Sequence, residues 1–175
     1  MDNDNLNTFP LLTTESLRLR QLLSTDAEEI FLLRSDTSVN QYLERQPTKT
    51  LEEAMEFIKK IKDNAYLYWA IGQKTNDKLI GTICLFDVSE ELKKCEIGFE
   101  LLTDQQGKGI MREAAMRIIE YAFQILELKT IEAYTHKDNC GSIKLLQKLK
   151  FISKDSNIDA NSNLILFQLQ STGYK

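Results

Sequence analysis

The stretch Gln106-Gly107-Lys108-Gly109-Ile110-Met111 joins an apolar, strand-like run at residues 97–102 to an alanine-rich run with helical spacing at residues 112–126. Glycine has no Cβ, so the backbone at Gly107 and Gly109 can turn closely around a ligand. The first N–H groups of a helix have no intrahelical partner, and the helix dipole adds partial positive charge there. A strand, a glycine loop and a helix start in this order predict a phosphate-binding site. Two glycines also occur in tight loops without a ligand, so the flanking segments are needed to distinguish a phosphate-binding loop from a simple turn.

The length and composition of the chain are those of an ordinary globular domain. Its 175 residues are 42% hydrophobic and 27% charged, and a chain of this length buries a core without disulfides or metals. We therefore expect one domain over residues 1–175, with residues 1–14 as a loose leader. The net charge of −4 disfavours general nucleic-acid binding, which requires clustered lysine and arginine.

Signals for secretion, membrane insertion and metal binding are missing from the sequence. No basic segment precedes an apolar one at the start, and no apolar run approaches about 18 residues. The cysteines, Cys84, Cys95 and Cys140, are widely spaced, which is typical of reduced thiols in a cytoplasm and not of a zinc site. We expect a cytoplasmic protein with no metal and no membrane partner. The sequence leaves the oligomeric state open, a homodimer included.

Hydrophobic periodicity predicts a mixed α/β fold. Strands are predicted at residues 16–23, 66–72, 79–88, 94–102, 130–136, 151–153 and 164–169. The capping boxes Thr25-x-x-Glu28 and Thr50-x-x-Glu53 predict two helix starts, the second helix running to about Ala65. Further helices are predicted at 110–126 and 140–149. The strand–helix–strand order around 94–136 implies a central parallel pair, whereas the hairpin before it is antiparallel. The predicted sheet is therefore mixed and mostly antiparallel, with flanking helices.

Three separated segments together resemble one known family. They are Glu96-Ile97-Gly98-Phe99-Glu100-Leu101, the loop at 106–111, and Asn139-Cys140-Gly141-Ser142 followed by Leu149-Lys150-Phe151. In this order and spacing they resemble the GNAT superfamily of acetyl-CoA-dependent N-acetyltransferases. The likeness is closest to the branch of ribosomal-protein N-terminal acetyltransferases (the Rim type), and it extends over residues 16–151.

The resemblance implies that acetyl-CoA is the co-substrate. Its pantetheine arm would lie along the strand edge at Phe99, Leu101 and Leu102, as an added strand would. Asn139 would hydrogen-bond that arm, with Ser142 near the thioester. By residue type alone, Asn139 is equally suited to be a helix N-cap. The pyrophosphate would bind the loop formed by Gln106, Gly107, Lys108, Gly109, Ile110 and Met111.

The resemblance also implies direct acetyl transfer to a primary amine, either a protein N-terminal amine or a small-molecule amine. An amine is protonated near neutral pH, so a base must accept a proton. Glu96 is the first candidate, because it matches the strand glutamate that acts as base in some relatives. Glu100 is the second, because strand alternation places it on the same face. A water could instead be the base, with either carboxylate only solvating a face or pairing with Lys94 or Lys108.

Three positions depart from the family pattern. Met111 stands where Gly or Ala is usual, and Leu146 where many relatives have the tyrosine that protonates the departing thiolate. Ser142 or water is then the expected proton donor. These two departures leave open a CoA-binding module of the same fold without catalysis. Lys150 stands where Gly is common, and lysine is disfavoured at positive φ, so we expect a different turn there.

Some other readings are disfavoured by the sequence. Covalent catalysis by Cys140 lacks an activating partner, since we expect His136 to end a strand and to face elsewhere. A dinucleotide-binding fold would place its glycine loop after the first strand. Tyr42, Trp69 and Phe86 are candidates for lining the acceptor site, although Trp69, which clusters with Tyr66 and Tyr68 beside the predicted sheet, is better explained as core or rim packing.

Overall fold

The computed structural model describes residues 9–64, 66–154 and 163–174. The strands are β1 (Leu12–Thr13), β2 (Leu17–Gln21), β3 (Leu67–Gln73), β4 (Leu79–Ser89), β5 (Lys94–Leu101), β6 (Thr130–His136), β7 (Ile152–Lys154) and β8 (Leu164–Gln170). The α-helices are α1 (Ala27–Ser35), α2 (Thr37–Asn40), α3 (Leu51–Asp63), α4 (Ile110–Gln124) and α5 (Cys140–Lys148). Among these residues no helix is long and apolar enough to cross a membrane.

The described strands form a single sheet in the order β1-β2-β3-β4-β5-β6-β8-β7. Neighbouring strands are antiparallel, except for β5 and β6, which run parallel. The chain passes between these two strands through α4. The predicted mixed, mostly antiparallel sheet with a central parallel pair and flanking helices is confirmed.

The two faces of the sheet are covered by different helices. Trp69 and Ile71 of β3 belong to the larger hydrophobic cluster, which contains the apolar side of α4. Ala70, between them, belongs to a second cluster with residues of α1 and α3, among them Ile30 and Ile58. Because consecutive strand side chains point to opposite faces, α4 lies on one face and α1 and α3 on the other.

One of the two predicted helix starts, with Thr50 as N-cap, is correct. Its capping box forms only in part, because the Glu53 carboxylate binds the N–H of Lys49 and not that of Thr50. The Thr50 hydroxyl accepts the Glu53 N–H at 3.2 Å, and the Glu53 carboxylate accepts the Lys49 N–H at 2.7 Å. α3 ends at Asp63, and the predicted end at Ala65 lies outside the described residues.

The other capping box, at Thr25, is wrong, since α1 begins only at Ala27 after a short 3-10 turn. The buried carboxylate of Asp26 organises this turn. It accepts the Leu23 N–H and both terminal nitrogens of Arg20, each at 2.8 Å. The partner that decides the helix start thus comes from β2, outside the local pattern.

The described part of the leader, residues 9–14, is packed against the domain and is not loose. Leu12 is buried in β1, and the Pro10 carbonyl accepts the indole N–H of Trp69 at 2.8 Å. Glu113 of α4 accepts hydrogen bonds from the Thr14 hydroxyl and from the Ser16 N–H. Residues 1–8 lie outside the described ranges.

Lys150 ends α5 in the left-handed conformation, with a φ of 66°. The Phe151 N–H donates to the Leu146 carbonyl and the Lys150 N–H to the Gln147 carbonyl, both at 3.0 Å. This is the Schellman pattern, completed by burial of Leu146 and Phe151 in one cluster. The expectation of a different turn is wrong. The buried contact of Leu146 and Phe151 stabilises the turn that glycine usually forms, although lysine occupies its left-handed position.

Replacement of Lys150 by glycine is expected to stabilise the domain by up to about 1 kcal/mol. The left-handed conformation costs a non-glycine residue roughly 1–2 kcal/mol, partly offset by the greater entropy that glycine loses on folding. Urea unfolding of Lys150→Gly measures the change. Lys144→Gly, at an exposed interior position of α5, is the matched control and should destabilise by about 1 kcal/mol. A loss of stability in both variants would contradict the strain at Lys150.

Candidate active site

A cleft opens in the middle of the sheet where β5 and β6 separate. The two strands are paired only at Lys94 with Thr130, Cys95 with Ile131 and Glu96 with Glu132. Beyond this point β5 stays paired with β4 as far as Leu101, and β6 stays paired with β8 as far as its end. The edge of β5 at residues 97–101 that faces β6 therefore has no partner strand among the described residues. Such an edge can bind an extended ligand as an added strand.

The glycine loop lies between the end of β5 and the start of α4. Gly107 and Gly109 have φ values of 75° and 82°, and a Cβ on either would meet no atom within 4 Å. Gly109 is the N-cap of α4, and no side chain caps it. The Gln106 amide donates to the Leu101 carbonyl at 3.1 Å, which fixes the loop to β5. An uncapped helix start facing open space can bind an anion.

The apolar residues of the predicted cofactor site contribute mainly by packing. Ile110 and Met111 are buried in the larger cluster, Met111 with 7% exposure. The bulk of Met111 is therefore taken up by the core. Leu101 is also buried, and Phe99 packs against the same cluster. The Leu102 N–H donates to the Ile80 carbonyl at 3.0 Å, and its carbonyl accepts from Gln105 at 2.9 Å.

Asn139 and Ser142 form the N-terminal turn of α5, directly after β6. The Asn139 side-chain oxygen accepts the Ser142 N–H at 3.1 Å, so Asn139 is the N-cap that its residue type predicts. Its own N–H donates to the His136 carbonyl at 2.9 Å. These bonds hold the start of α5 at the end of β6. Leu146, one turn further along α5, is 1% exposed and has no hydroxyl to offer to a ligand.

Glu96 is half-buried at the last paired position before β5 and β6 separate. Its neighbours across the strands are Phe86 of β4 and Glu132 of β6. No cation of the described chain lies within ion-pair distance of it. Burial raises the pKa of Glu96, and the charges of Asp87 and Glu132 raise it further, against the opposing charge of Lys94. A carboxylate with raised proton affinity in a cleft is suited to accept a proton.

Glu100 lies on the same face but is held in an ion pair. Both of its carboxylate oxygens accept from the Arg45 guanidinium, one at 2.9 Å from Nη2 and the other from Nη1. The Arg45 Nε donates to the Asn40 side-chain oxygen at 2.7 Å. The suggested pairing with Lys94 or Lys108 is therefore wrong for Glu100. The arrangement makes Glu100 an anchor for the segment after α2.

The segment from Tyr42 to Arg45 contacts both sides of the cleft on the face of the sheet that also carries Glu96, but four residues further along the two strands. The Tyr42 ring stacks on His136 at the end of β6, with centroids 5.3 Å apart, and Arg45 binds Glu100 near the end of β5. The segment therefore contacts both strands that form the cleft. His136 ends β6, as expected, and alternation places it with Glu132 on the same face of β6. Its side-chain partners among the described residues are Tyr42 and Asp138 and do not include Cys140.

The candidates for the acceptor site divide into two groups. Trp69 is fully buried in the larger cluster, so it lines no open site. Phe86 is 42% exposed, and a Cβ at Gly98 would come within 3.2 Å of its ring. The absence of a side chain at Gly98 therefore allows the Phe86 ring to lie over Gly98, and Phe86 is also the cross-strand partner of Glu96. Tyr42 also lies on this face, through its contact with His136.

Two residues of the site were missed in the sequence. Glu132 could have been found from the alternation in β6, where it is polar between the apolar Ile131 and Ala133. Arg45 lies in a stretch without periodicity, and nothing in its neighbourhood points to a partner 55 residues away. Within residues 9–64, 66–154 and 163–174, no group of three or more His, Cys, Asp or Glu side chains could hold a metal ion.

Comparison with known proteins gives one consistent result. A family model described as an acetyltransferase (GNAT) domain matches residues 16–152. The chain is 31% identical over 147 residues to the uncharacterized N-acetyltransferase YoaA of Bacillus subtilis (strain 168), covering 82% of this chain and 83% of YoaA. It is 32% identical over 142 residues to the acetyltransferase PseH of Campylobacter jejuni (strain 81-176), covering 79% and 85%.

Among solved structures, the chain resembles spermidine N-acetyltransferase from Vibrio cholerae in complex with CoA and spermine. The TM-score is 0.78 at 22% sequence identity, covering 91% of this chain and 98% of that one. At this identity the likeness concerns the fold.

Proposed function

Because the chain belongs to the GNAT family of acetyltransferases and is thus an acyltransferase, we propose that Glu96 is the base in direct acetyl transfer from acetyl-CoA to a primary amine. The observation that carries the proposal is the position of Glu96. It is a half-buried carboxylate without an ion-pair partner among the described residues, located where the paired edges of β5 and β6 end.

The binding site proposed for acetyl-CoA follows the cleft from the glycine loop to α5. The backbone N–H groups of residues 106–111 would bind the pyrophosphate, since Gly107 and Gly109 leave space over the loop. The free edge of β5 at residues 99–101 would bind the pantetheine arm, near Asn139 and Ser142. Bound there, acetyl-CoA supplies an activated acetyl thioester.

Glu96 would take a proton from the acceptor ammonium, directly or through one water, which frees the nitrogen lone pair for attack. The new bond joins the amine nitrogen to the acetyl carbon, and the bond between that carbon and sulfur breaks. The nitrogen is positively charged after the attack and releases its second proton, while the departing thiolate needs one. Leu146 cannot supply it, so we assign this step to the Ser142 hydroxyl or to water, which takes up the proton released by the nitrogen in exchange.

An acceptor that fits the face of the sheet carrying Glu96 has its amine at the end of a narrow, flexible chain. Segment 42–45 is held at both ends, by His136 and by Glu100, and on this face of the sheet it would restrict the approach of an acceptor to Glu96. A protein N-terminus, as in the Rim-type branch, and a small-molecule amine can both pass such a restriction. The carboxylates of Glu96 and Glu132 favour a cationic group at this point.

A test with a panel of amines separates these acceptors. Thiol release from acetyl-CoA is measured with N-terminal peptides, spermidine and small monoamines, and the products are identified by mass spectrometry. Wild type, Glu96→Gln and Ser142→Ala are compared, with Glu91→Gln, an exposed turn position, as the matched control. Acetylation of at least one amine, impaired by Glu96→Gln, supports the proposal. CoA binding without transfer to any amine would favour a binding module that has lost catalysis.

A further inference from the structure

A buried carboxylate next to Glu96 takes no part in the bond-making and proton-transfer steps of the proposed reaction. Glu132 lies directly opposite Glu96 in the parallel register of β5 and β6, at the last pair before the strands separate. Only 6% of Glu132 is exposed. Burial of a charged group costs free energy unless partners compensate for the lost water, so a carboxylate at this position requires an explanation.

The charge of Glu132 is held by two donors. Its Oε2 accepts from Lys94 Nζ at 3.0 Å, and its Oε1 accepts from the Gln168 amide at 2.7 Å. Both oxygens thus have a donor, one of them a cation, which compensates the carboxylate for the water lost on burial. In turn, the hydrogen bond with Glu132 and its charge raise the pKa of Lys94. The result is a fixed negative charge and a fixed positive charge, both next to Glu96.

These two charges act on Glu96 in opposite directions. Glu132 disfavours the ionised form of Glu96 and raises its pKa, whereas Lys94, two residues earlier on β5, lowers it. Asp87, from the β4 side, acts in the same direction as Glu132. Tyr134 also faces the pair from β6, and burial together with the charges of Glu132 and Glu96 raises its pKa, which keeps its hydroxyl neutral.

We propose that Glu132 and Lys94 are positioning residues for the base, and that their opposed charges set how readily Glu96 takes a proton from the acceptor amine. The proposal rests on the proposed function of Glu96. A general base works best when its proton affinity is matched to the working pH. A free glutamate is too weak a base for this, and a neighbouring negative charge strengthens it.

The test uses two variants that break the same ion pair. In Glu132→Gln and Lys94→Gln the replacement still offers a hydrogen-bonding group, but one charge is lost. If the ion pair has a purely structural role, the Glu96 pKa should change in the same direction in both variants. Electrostatic control predicts opposite changes, with the Glu96 pKa falling in Glu132→Gln and rising in Lys94→Gln.

The Glu96 carboxyl carbon is followed by NMR titration in both variants and in wild type, with spectral dispersion reporting that each protein is folded. Glu29→Gln is the matched control. Glu29 is also buried and paired with a lysine, Lys78 at 3.1 Å, but it lies on helix α1 and not on β5 or β6. It should leave the Glu96 titration unchanged. Shifts of equal sign, or no shift, in the two variants overturn the proposal.

The pH profile of kcat/KM then distinguishes the effect of the charge pair on Glu96 from the role of Glu96 as the base. If its acidic limb moves with the Glu96 titration in both variants, the charge pair acts on catalysis through the base. If the titration moves in opposite directions while the limb stays in place, the charge pair still controls Glu96. In that outcome it is the assignment of Glu96 as base that fails.

Discussion

Glu96→Gln is expected to lower kcat/KM for amine acetylation by about 100- to 10,000-fold, the range that a general base contributes. Glutamine has nearly the same shape as glutamate but cannot take up the proton of the acceptor ammonium. CoA binding should change little, because the glycine loop lies beyond the far end of β5, outside the contacts of Glu96. Steady-state kinetics with the preferred amine and calorimetry with CoA measure the two quantities separately.

The pH dependence of the wild type provides the second half of this test. Only the ionised form of Glu96 can accept a proton, so kcat/KM should rise with pH through the Glu96 pKa. Burial and the nearby charges of Asp87 and Glu132 hold that pKa above its ordinary value, which is about 4.3 for a free glutamate. The acidic limb should therefore lie above this value in the wild type and be missing in Glu96→Gln.

Glu100→Gln is the control that distinguishes the two carboxylates named from the sequence. It removes a charge from the same face and from the same strand. Its expected effect is a loosening of segment 42–45, because Arg45 loses its ion-pair partner, while the acidic limb of the pH profile is kept. Loss of that limb in Glu100→Gln, with the limb intact in Glu96→Gln, would assign the base to Glu100.

The features that could be predicted from the sequence are those whose causes lie within a few residues. β6 has the predicted bounds because apolar and polar residues alternate along 130–136. The N-cap roles of Thr50 and Asn139 follow from a side chain that reaches only three residues ahead. The left-handed glycines at 107 and 109 precede α4, as the loop pattern implies. For such features residue type and spacing contain most of the physics.

The features that could not be predicted depend on partners brought together by the fold. Because Arg20 binds Asp26, the Asp26 carboxylate and not Thr25 stabilises the turn before α1. Trp69 and Glu113 hold the segment that was expected to be loose. The proton affinity of Glu96 depends on Glu132, which becomes its neighbour only through the parallel pairing of β5 and β6. The sequence names the candidate base, and the sheet supplies its environment.

Gly109→Val is expected to weaken CoA binding roughly 10- to 100-fold, which corresponds to about 1.4–2.8 kcal/mol. Gly109 has a φ of 82°, and a β-branched residue is strongly disfavoured there. If the loop relaxes to a negative φ, the N–H groups at the start of α4 change direction. If it does not relax, the valine side chain occupies the open space over the loop. Either result removes part of the proposed pyrophosphate site.

Gly173→Val is the matched control, because a Cβ at Gly173 also meets no atom within 4 Å and its φ is not in the left-handed region. It should leave CoA binding unchanged by calorimetry. Thermal unfolding of both variants separates a loss of binding from a loss of folded protein.

A shortened thioester, S-acetylpantetheine, locates the effect of Gly109→Val within the ligand. It keeps the acetyl group and the arm proposed to lie along β5, but it lacks the pyrophosphate. Wild type and Gly109→Val should therefore use it with equal kcat/KM, although they differ strongly with acetyl-CoA. If the variant loses activity with both thioesters to the same extent, the loop at 106–111 supports the fold of the cleft and the pyrophosphate binds elsewhere.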